Sequence, residues 1–371
     1  MSAKILNVIS KANMRTLTKR QKSILKAIIL EYLKTAKPVG SKVLQEHYNL
    51  SVSSATVRNE MANLTNMGYI TQPHISAGRV PTEEGYRFYI TELINYEDNI
   101  PEEKIRWMQR VLAQNYQSID KMLKSLMRFL TNISGQVSII AEPELSYGII
   151  KNINIFKIAE NKLLFVVSLE SGLDKTVIID CKYQVTDAQL QAIIRYLHKN
   201  FTGKQIYQIE HYYLSQFEYS NVKSKNIDNT LLYKLLGVLY KALSKVTDYK
   251  IYYDSNIKFL EQPEFSSKDE ILNFLRILQD KDSIIKIFHS HFDDDYSVIV
   301  GDEIGHKGFS NLSFVFAKYS ILNIPGFIGI LGPKRMNYMD NIPMVCFASK
   351  MITDMTNKGV VIPSVRFSSD I

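Results

Sequence analysis

The chain has 371 residues with 46% hydrophobic and 22% charged residues, an ordinary globular composition that predicts two or three domains and excludes a single small core. Its net charge of +8 is concentrated: residues 1–90 hold thirteen Lys and Arg against five Asp and Glu, while the remainder carries 32 of each sign. A basic head on a neutral body fits nucleic-acid binding better than a membrane surface, which would call for a basic amphipathic face with exposed aromatics.

The start of the chain lacks the long apolar core of a signal peptide, and the most apolar later stretch, residues 321–331, is broken by Asn323, Pro325 and Gly326, so a soluble cytoplasmic protein without a membrane span is expected. Cys181 and Cys346 are far apart and outside any CxxC pair, which predicts buried reduced thiols.

Thr18-Lys19-Arg20-Gln21 is a capping-box pattern opening a helix over residues 17–36, with Ile24, Leu25, Ile28, Ile29, Tyr32 and Leu33 at helical spacing. Residues 39–48 read as a short second helix. Ser53 is a good N-cap for a third, residues 54–66, whose stripe Val57, Met61 and Leu64 faces a core. Its opposite side carries Ala55, Asn59, Ala62 and Asn63, flanked by Thr56 and Arg58, with no bulky apolar group. Two helices joined by a tight turn make a helix-turn-helix, and a small, polar outer face can enter a major groove, where Arg reads guanine and Asn reads adenine. A strand at Tyr69 to Gln72, a turn at Ser76 to Arg79 and a return at Val80 read as a wing, with Arg79 at its tip aimed at a phosphate or a minor groove. Thr82 caps a further helix through Tyr96.

Pro101 opens a long helix in which Ile105, Met108, Leu112, Ile119, Met122, Leu126, Phe129 and Ile133 alternate steps of three and four, with Asn115 the one polar member. That pattern is either an interhelical seam with Asn115 fixing its register, or a helix packed on a sheet of its own subunit. Strand-like runs follow at residues 137–140, 149–158, 163–169 and 176–179, then a helix capped by Thr186, later strands at 297–300, 312–317 and 327–331, and a last helix over 341–357, giving an α+β body. The piece from 207 to 274 differs in character, rich in Tyr, Asn and Lys, with an apolar helix expected from Leu231 to Leu243.

Signals for an enzyme are sparse. His289 and His291, alternating on a strand, could share a face with Asp293, Asp294 and Asp295 as metal ligands, but an acidic turn explains the Asp run. Residues 326–334 lack Walker A spacing, and no GxSxG or HExxH occurs, so neither a catalytic residue, a metal nor a cofactor is expected.

The strings SSATVRNEMANL, GYITQPHISAGRVPTEEGYRFYI, FLEQPEF and GILGPKRMNY resemble those of the HrcA family, heat-inducible transcription repressors of bacterial chaperone operons. Similarity is strong over residues 15–90, patchy in the middle, and returns near 259–265 and 326–338; the family's last signature has threonine where this chain has Lys334. The resemblance implies a multidomain α+β protein: a winged helix-turn-helix DNA-binding domain at 1–97, a GAF-like domain at 98–206 and 275–371, and an inserted dimerising domain at 207–274. It further implies a homodimer on an inverted-repeat, CIRCE-type operator and a GroEL-type chaperonin as modulating partner. On this reading Arg58, Asn59 and Asn63 face bases, Arg79 serves the wing, and Ser54, Thr56, Lys19, Arg20 and Lys22 clamp phosphates. The alternative is a small-molecule-sensing winged-helix regulator that uses the GAF-like domain.

Overall fold

A computed structural model describes residues 16–50, 52–94, 100–115, 119–143, 145–171, 174–181, 185–209, 250–291, 294–305 and 309–357. The chain divides into two compact units: residues 1–140, 252–318 and 328–350 form the first, and 141–251, 319–327 and 351–371 the second.

In the first unit, α1 (Lys19–Thr35), α2 (Ser41–His47), α3 (Ser54–Asn66), the two-residue strands β1 (Ile70–Thr71) and β2 (Val80–Pro81), and α4 (Glu83–Phe88) follow one another as a winged helix. Thr18 and Gln21 close a full capping box on α1, and its stripe of Ile24, Leu25, Ile28 and Ile29 is buried together with Leu44 of α2 and Val57, Met61 and Leu64 of α3. Tyr69 and Phe88 meet edge to face at 5.2 Å, closing this core under the wing. The expected helix through Tyr96 is shorter: α4 passes into a π-helical turn, Tyr89–Leu93, and Ile94 is already extended.

The long helix expected from Pro101 is two helices, α5 (Glu102–Asn115) and α6 (Ile119–Ser134), with the Trp107 ring stacked on Phe129 at 4.6 Å. Contact between the start of one helix and the latter half of the other requires a hairpin, so the three-four stripe is a seam between two helices of one chain. Met108, Leu112, Met122 and Leu126 are buried along it; the part suggested for Asn115 lies outside the described side chains. Helix α6 also packs on the sheet: Ser138 of β3 (Val137–Ala141) donates to the Met127 carbonyl at 2.9 Å, and its hydroxyl lies 2.7 Å from that of Thr131.

Strand β3 lies in a five-stranded sheet of order β7-β3-β10-β9-β8, made with β7 (Ile251–Asp254), β8 (Tyr296–Val300), β9 (Leu312–Ile321) and β10 (Ile324–Pro333). Strands β8 and β9 are antiparallel, with Val298 opposite Val315. Between β9 and β10 only Leu322 and Asn323 intervene, at φ 51° and 65°, the backbone of a type I′ hairpin. Helices α8 (Lys268–Gln279) and α9 (Lys281–Ser290) precede β8, and Phe259, Phe265 and Phe274 pack ring to ring at 4.5–5.2 Å. The last helix, α10 (Tyr338–Asn357), begins a turn earlier than expected.

In the second unit, β4 (Ile150–Ala159), β5 (Lys162–Leu169) and β6 (Asp174–Asp180) form an antiparallel meander. A further helix, α7 (Asp187–Phe201), capped by the expected Thr186–Gln189 box, sets Ile193, Leu197 and Phe201 into a core with Ile153, Ile155, Phe165 and Val167. The described residues of 141–209 belong to the second unit, where the meander and α7 bury a core of their own, while residues 251–254 supply an edge strand of the five-stranded sheet. The apolar helix expected at Leu231 to Leu243 lies outside the described residues.

Candidate nucleic-acid interface

Helix α3 has the boundaries read from the sequence. Ser53 accepts from the Thr56 amide at 3.2 Å, and the apolar stripe is buried, which forces the other side outward. Ala55, Arg58, Asn59, Ala62 and Asn63 are all exposed, with Ser54 and Thr56 half-buried at the N-terminal end. Ser54 is held 3.2 Å from the Ser41 hydroxyl at the start of α2, tying the two helices of the motif together. Ala55 and Ala62 keep this exposed face shallow, and Arg58, Asn59 and Asn63 are the long polar side chains exposed on it.

The expected basic clamp is split. Arg20 reaches Glu60 of α3 at 3.7 Å with its side chain 56% exposed, and Glu60 also accepts from Gln21 at 3.1 Å and Asn63 at 3.3 Å. Glu60 thus joins α1 to α3 from a half-buried position, a part the sequence reading missed because an acid in a basic face looks like a solvated residue. Lys19 is exposed at the N-terminus of α1. Lys22 belongs to another seam: its ammonium lies 3.8 Å from Glu92 and 5.5 Å over the Phe88 ring.

The wing differs from its expected form. Its turn centres on residues 74–77, where the Ala77 amide donates to His74, and the Gln72 side-chain amide clamps the loop by donating to the Ile75 and Ala77 carbonyls at 2.8 and 2.9 Å. Arg79 is therefore at the base rather than the tip. Its backbone exchanges both hydrogen bonds with Val39, at 2.8 and 2.9 Å, and its Nε donates to Thr65 of α3 at 3.1 Å. Gly78 is required beside it, since a Cβ there would overlap the Val39 carbonyl. The tip itself presents His74 and Ile75, the latter fully exposed.

Comparison with known proteins bears on this geometry. The family model for the winged helix-turn-helix transcription repressor, HrcA DNA-binding, matches residues 16–93, and that for the HrcA protein C terminal domain matches residues 120–342. The chain belongs to the HrcA family. The heat-inducible transcription repressor HrcA of Chlorobium chlorochromatii is 31% identical over 328 residues, spanning 87% of this chain and 93% of that protein. The protein of the same name from Thermoanaerobacter pseudethanolicus is 30% identical over 341 residues, spanning 91% and 96%. A crystal structure described as a hypothetical protein shares the fold at TM-score 0.54, with 21% identity and coverage of 93% of this chain and 100% of its own.

HrcA relatives are named as transcription repressors, a regulatory role and not an enzymatic one. The enzyme-like patterns dissolve accordingly. His289 lies in the last turn of α9 and His291 caps it, so they do not alternate on a strand; the His291 ring packs edge-on to Phe316 and its Nδ1 lies 3.0 Å from the Ile287 carbonyl. Asp293 lies outside the described residues, among which no group of three His, Cys, Asp or Glu is arranged to hold a metal. Cys181 is buried and Cys346, on α10, is half-buried; neither is in a disulfide. Among the described residues no helix is long and apolar enough to cross a membrane.

Proposed function

We propose that this HrcA-family chain is a sequence-specific transcriptional repressor of heat-shock chaperone genes that acts in the cytoplasm as a homodimer on a CIRCE-type inverted repeat. The observation that carries the reading is the exposed face of α3, small at Ala55 and Ala62 and hydrogen-bonding at Arg58, Asn59 and Asn63, on a domain matching the family's DNA-binding model.

In this mechanism α3 lies in the major groove, with Arg58 bidentate to a guanine and Asn59 or Asn63 to an adenine. Ser54, Thr56, Lys19 and Arg20 contact phosphates at the helix ends, while Lys22 supplies charge from the side of the domain. Arg79, anchored through Nε to Thr65, offers its terminal guanidinium nitrogens to the backbone beside the wing. A two-fold dimer reads a two-fold site, and occupation of the promoter blocks transcription. A GroEL-type chaperonin keeps the repressor active, and heat diverts that chaperonin to unfolded clients. The inserted domain carries the dimer.

Hydroxyl-radical footprinting of the full chain on a chaperone promoter tests this. Two protected patches related by the repeat's dyad are expected; one continuous, sequence-independent protection at every concentration would refute the reading.

A further inference from the structure

Two of the strings that carry the family resemblance, FLEQPEF and GILGPKRMNY, play no part in the groove-facing surface, yet both end on the winged helix within the first unit. Arg335 forms a bidentate pair with Glu264, at 2.7 and 3.2 Å, and its remaining nitrogen donates to the Leu33 carbonyl in the last turn of α1 at 2.7 Å. Lys334 lies 3.0 Å from Glu83, in the first turn of α4, and Glu83 also accepts from the Asp302 amide at 3.3 Å. Arg87, one turn further along α4, makes a two-nitrogen pair with Glu303.

The surroundings make these contacts stiff. Gly301, at φ 60°, brings its backbone so close to Glu83 that a Cβ there would overlap the carboxylate. Between the pairs the Tyr86 and Tyr338 rings meet at 5.9 Å, both almost fully buried, and the Tyr338 hydroxyl lies 2.6 Å from Ser313 and donates to the Lys334 carbonyl at 2.7 Å. The Arg335 and Arg87 side chains are 14% and 15% exposed, so solvent screens these pairs less than it screens surface pairs. Burial pushes both tyrosine hydroxyls well above the ordinary phenol range. One pair alone would act as a pivot, and two as an axis. Anchors on α1 and at two places on α4 remove the remaining rotation.

We infer that this joint is a positioning device that fixes the winged helix on the body and thereby sets which half-site spacing a dimer accepts. The inference rests on the repressor reading and extends it from how bases are read to how far apart they are read. A rigid joint raises the effective concentration of the second winged helix at the second half-site for one spacing and lowers it for others. Arg335, Lys334 and Arg87 touch no DNA in this scheme and act through placement alone.

The test uses the full chain, as wild type, Arg335→Ala, and the milder pair Lys334→Thr with Arg87→Gln, on three kinds of duplex: a single half-site, the full repeat, and full repeats with the spacer lengthened or shortened by 2–6 base pairs. Expected are half-site affinities within about twofold of wild type, a loss of roughly 10–100-fold on the full repeat, and a flattened preference among spacers. Unchanged full-repeat affinity and spacer preference in both folded variants, checked by circular dichroism, overturns the inference. An equal loss on the half-site also overturns it, because the joint would then shape the reading surface itself. Failure of the wild type to prefer any repeat over scrambled DNA would instead sink the repressor reading, and the inference with it.

Discussion

Replacing Glu60 is expected to change stability and DNA affinity with opposite signs, which makes it a sharp test of the geometry around α3. Truncating it to alanine leaves the Gln21 side-chain amide, now bonded at 3.1 Å, without that acceptor beneath a largely buried residue, at a cost of about 2 kcal/mol. The Arg20 contact at 3.7 Å adds little, about 0.5 kcal/mol at most, because the arginine is 56% exposed. Glu60→Gln keeps an acceptor for Gln21 and loses only the charge, so about 0.5–1 kcal/mol is expected. Urea unfolding followed by circular dichroism, with a Gln21→Ala and Glu60→Ala cycle, measures the coupling. Both variants also release Arg20 and remove a negative charge beside the exposed face of α3, and alanine releases Asn63 as well. Affinity for all duplexes should therefore rise, with a steeper dependence on salt. Equal destabilisation by glutamine and alanine would show that charge, not the acceptor, holds α1 to α3; unchanged affinity in both would place Glu60 away from the DNA.

Arg58→Ala should leave stability within about 0.5 kcal/mol, since the side chain is exposed, yet cost about 1–3 kcal/mol on the matched operator and flatten preference at one base pair; competition binding across single-base variants reads this, and a uniform loss on all sequences would remove Arg58 from base readout. Gly78→Ala should lower the melting temperature and weaken operator binding by displacing the wing from Val39, and normal values of both would show that the strand pair yields without cost. Ile75→Asp should not change stability, because the residue is fully exposed at the wing tip, but should weaken binding several-fold by bringing negative charge to the backbone; unaltered affinity would mean that the wing tip stays clear of the duplex. For Lys22→Ala a modest general weakening with a shallower salt slope is expected, and an unchanged slope would confine Lys22 to its pair with Glu92.

The winged helix was legible because its signals are local. A capping box at Thr18, an N-cap at Ser53 and one clean stripe at Val57, Met61 and Leu64 fix two helices and the direction of the exposed face without reference to anything distant. What escaped depends on partners far along the chain. The three-four stripe from Ile105 to Ile133 is the same for one long helix and for a hairpin folded on itself, and the Trp107–Phe129 stack distinguishes them. Arg79 looked like a tip residue because turn chemistry marks Gly78, yet the backbone pairing with Val39, forty positions earlier, places it at the wing base. Residues 251–254 likewise read in the sequence as part of a Tyr-rich segment, and pairing with β3 makes them an edge strand. Lys334, whose sequence neighbours suggest no partner, gains meaning through Glu83, 251 positions away.

The most direct measurement is a fluorescence titration of the full chain on a duplex carrying the inverted repeat and on a scrambled duplex of equal length, at one stated salt concentration, with and without a GroEL-type chaperonin. Tight, selective binding to the repeat, strengthened by the chaperonin, is the predicted result. Equal, weak binding to both duplexes in either condition would contradict it and leave a basic winged module whose body answers to some other signal.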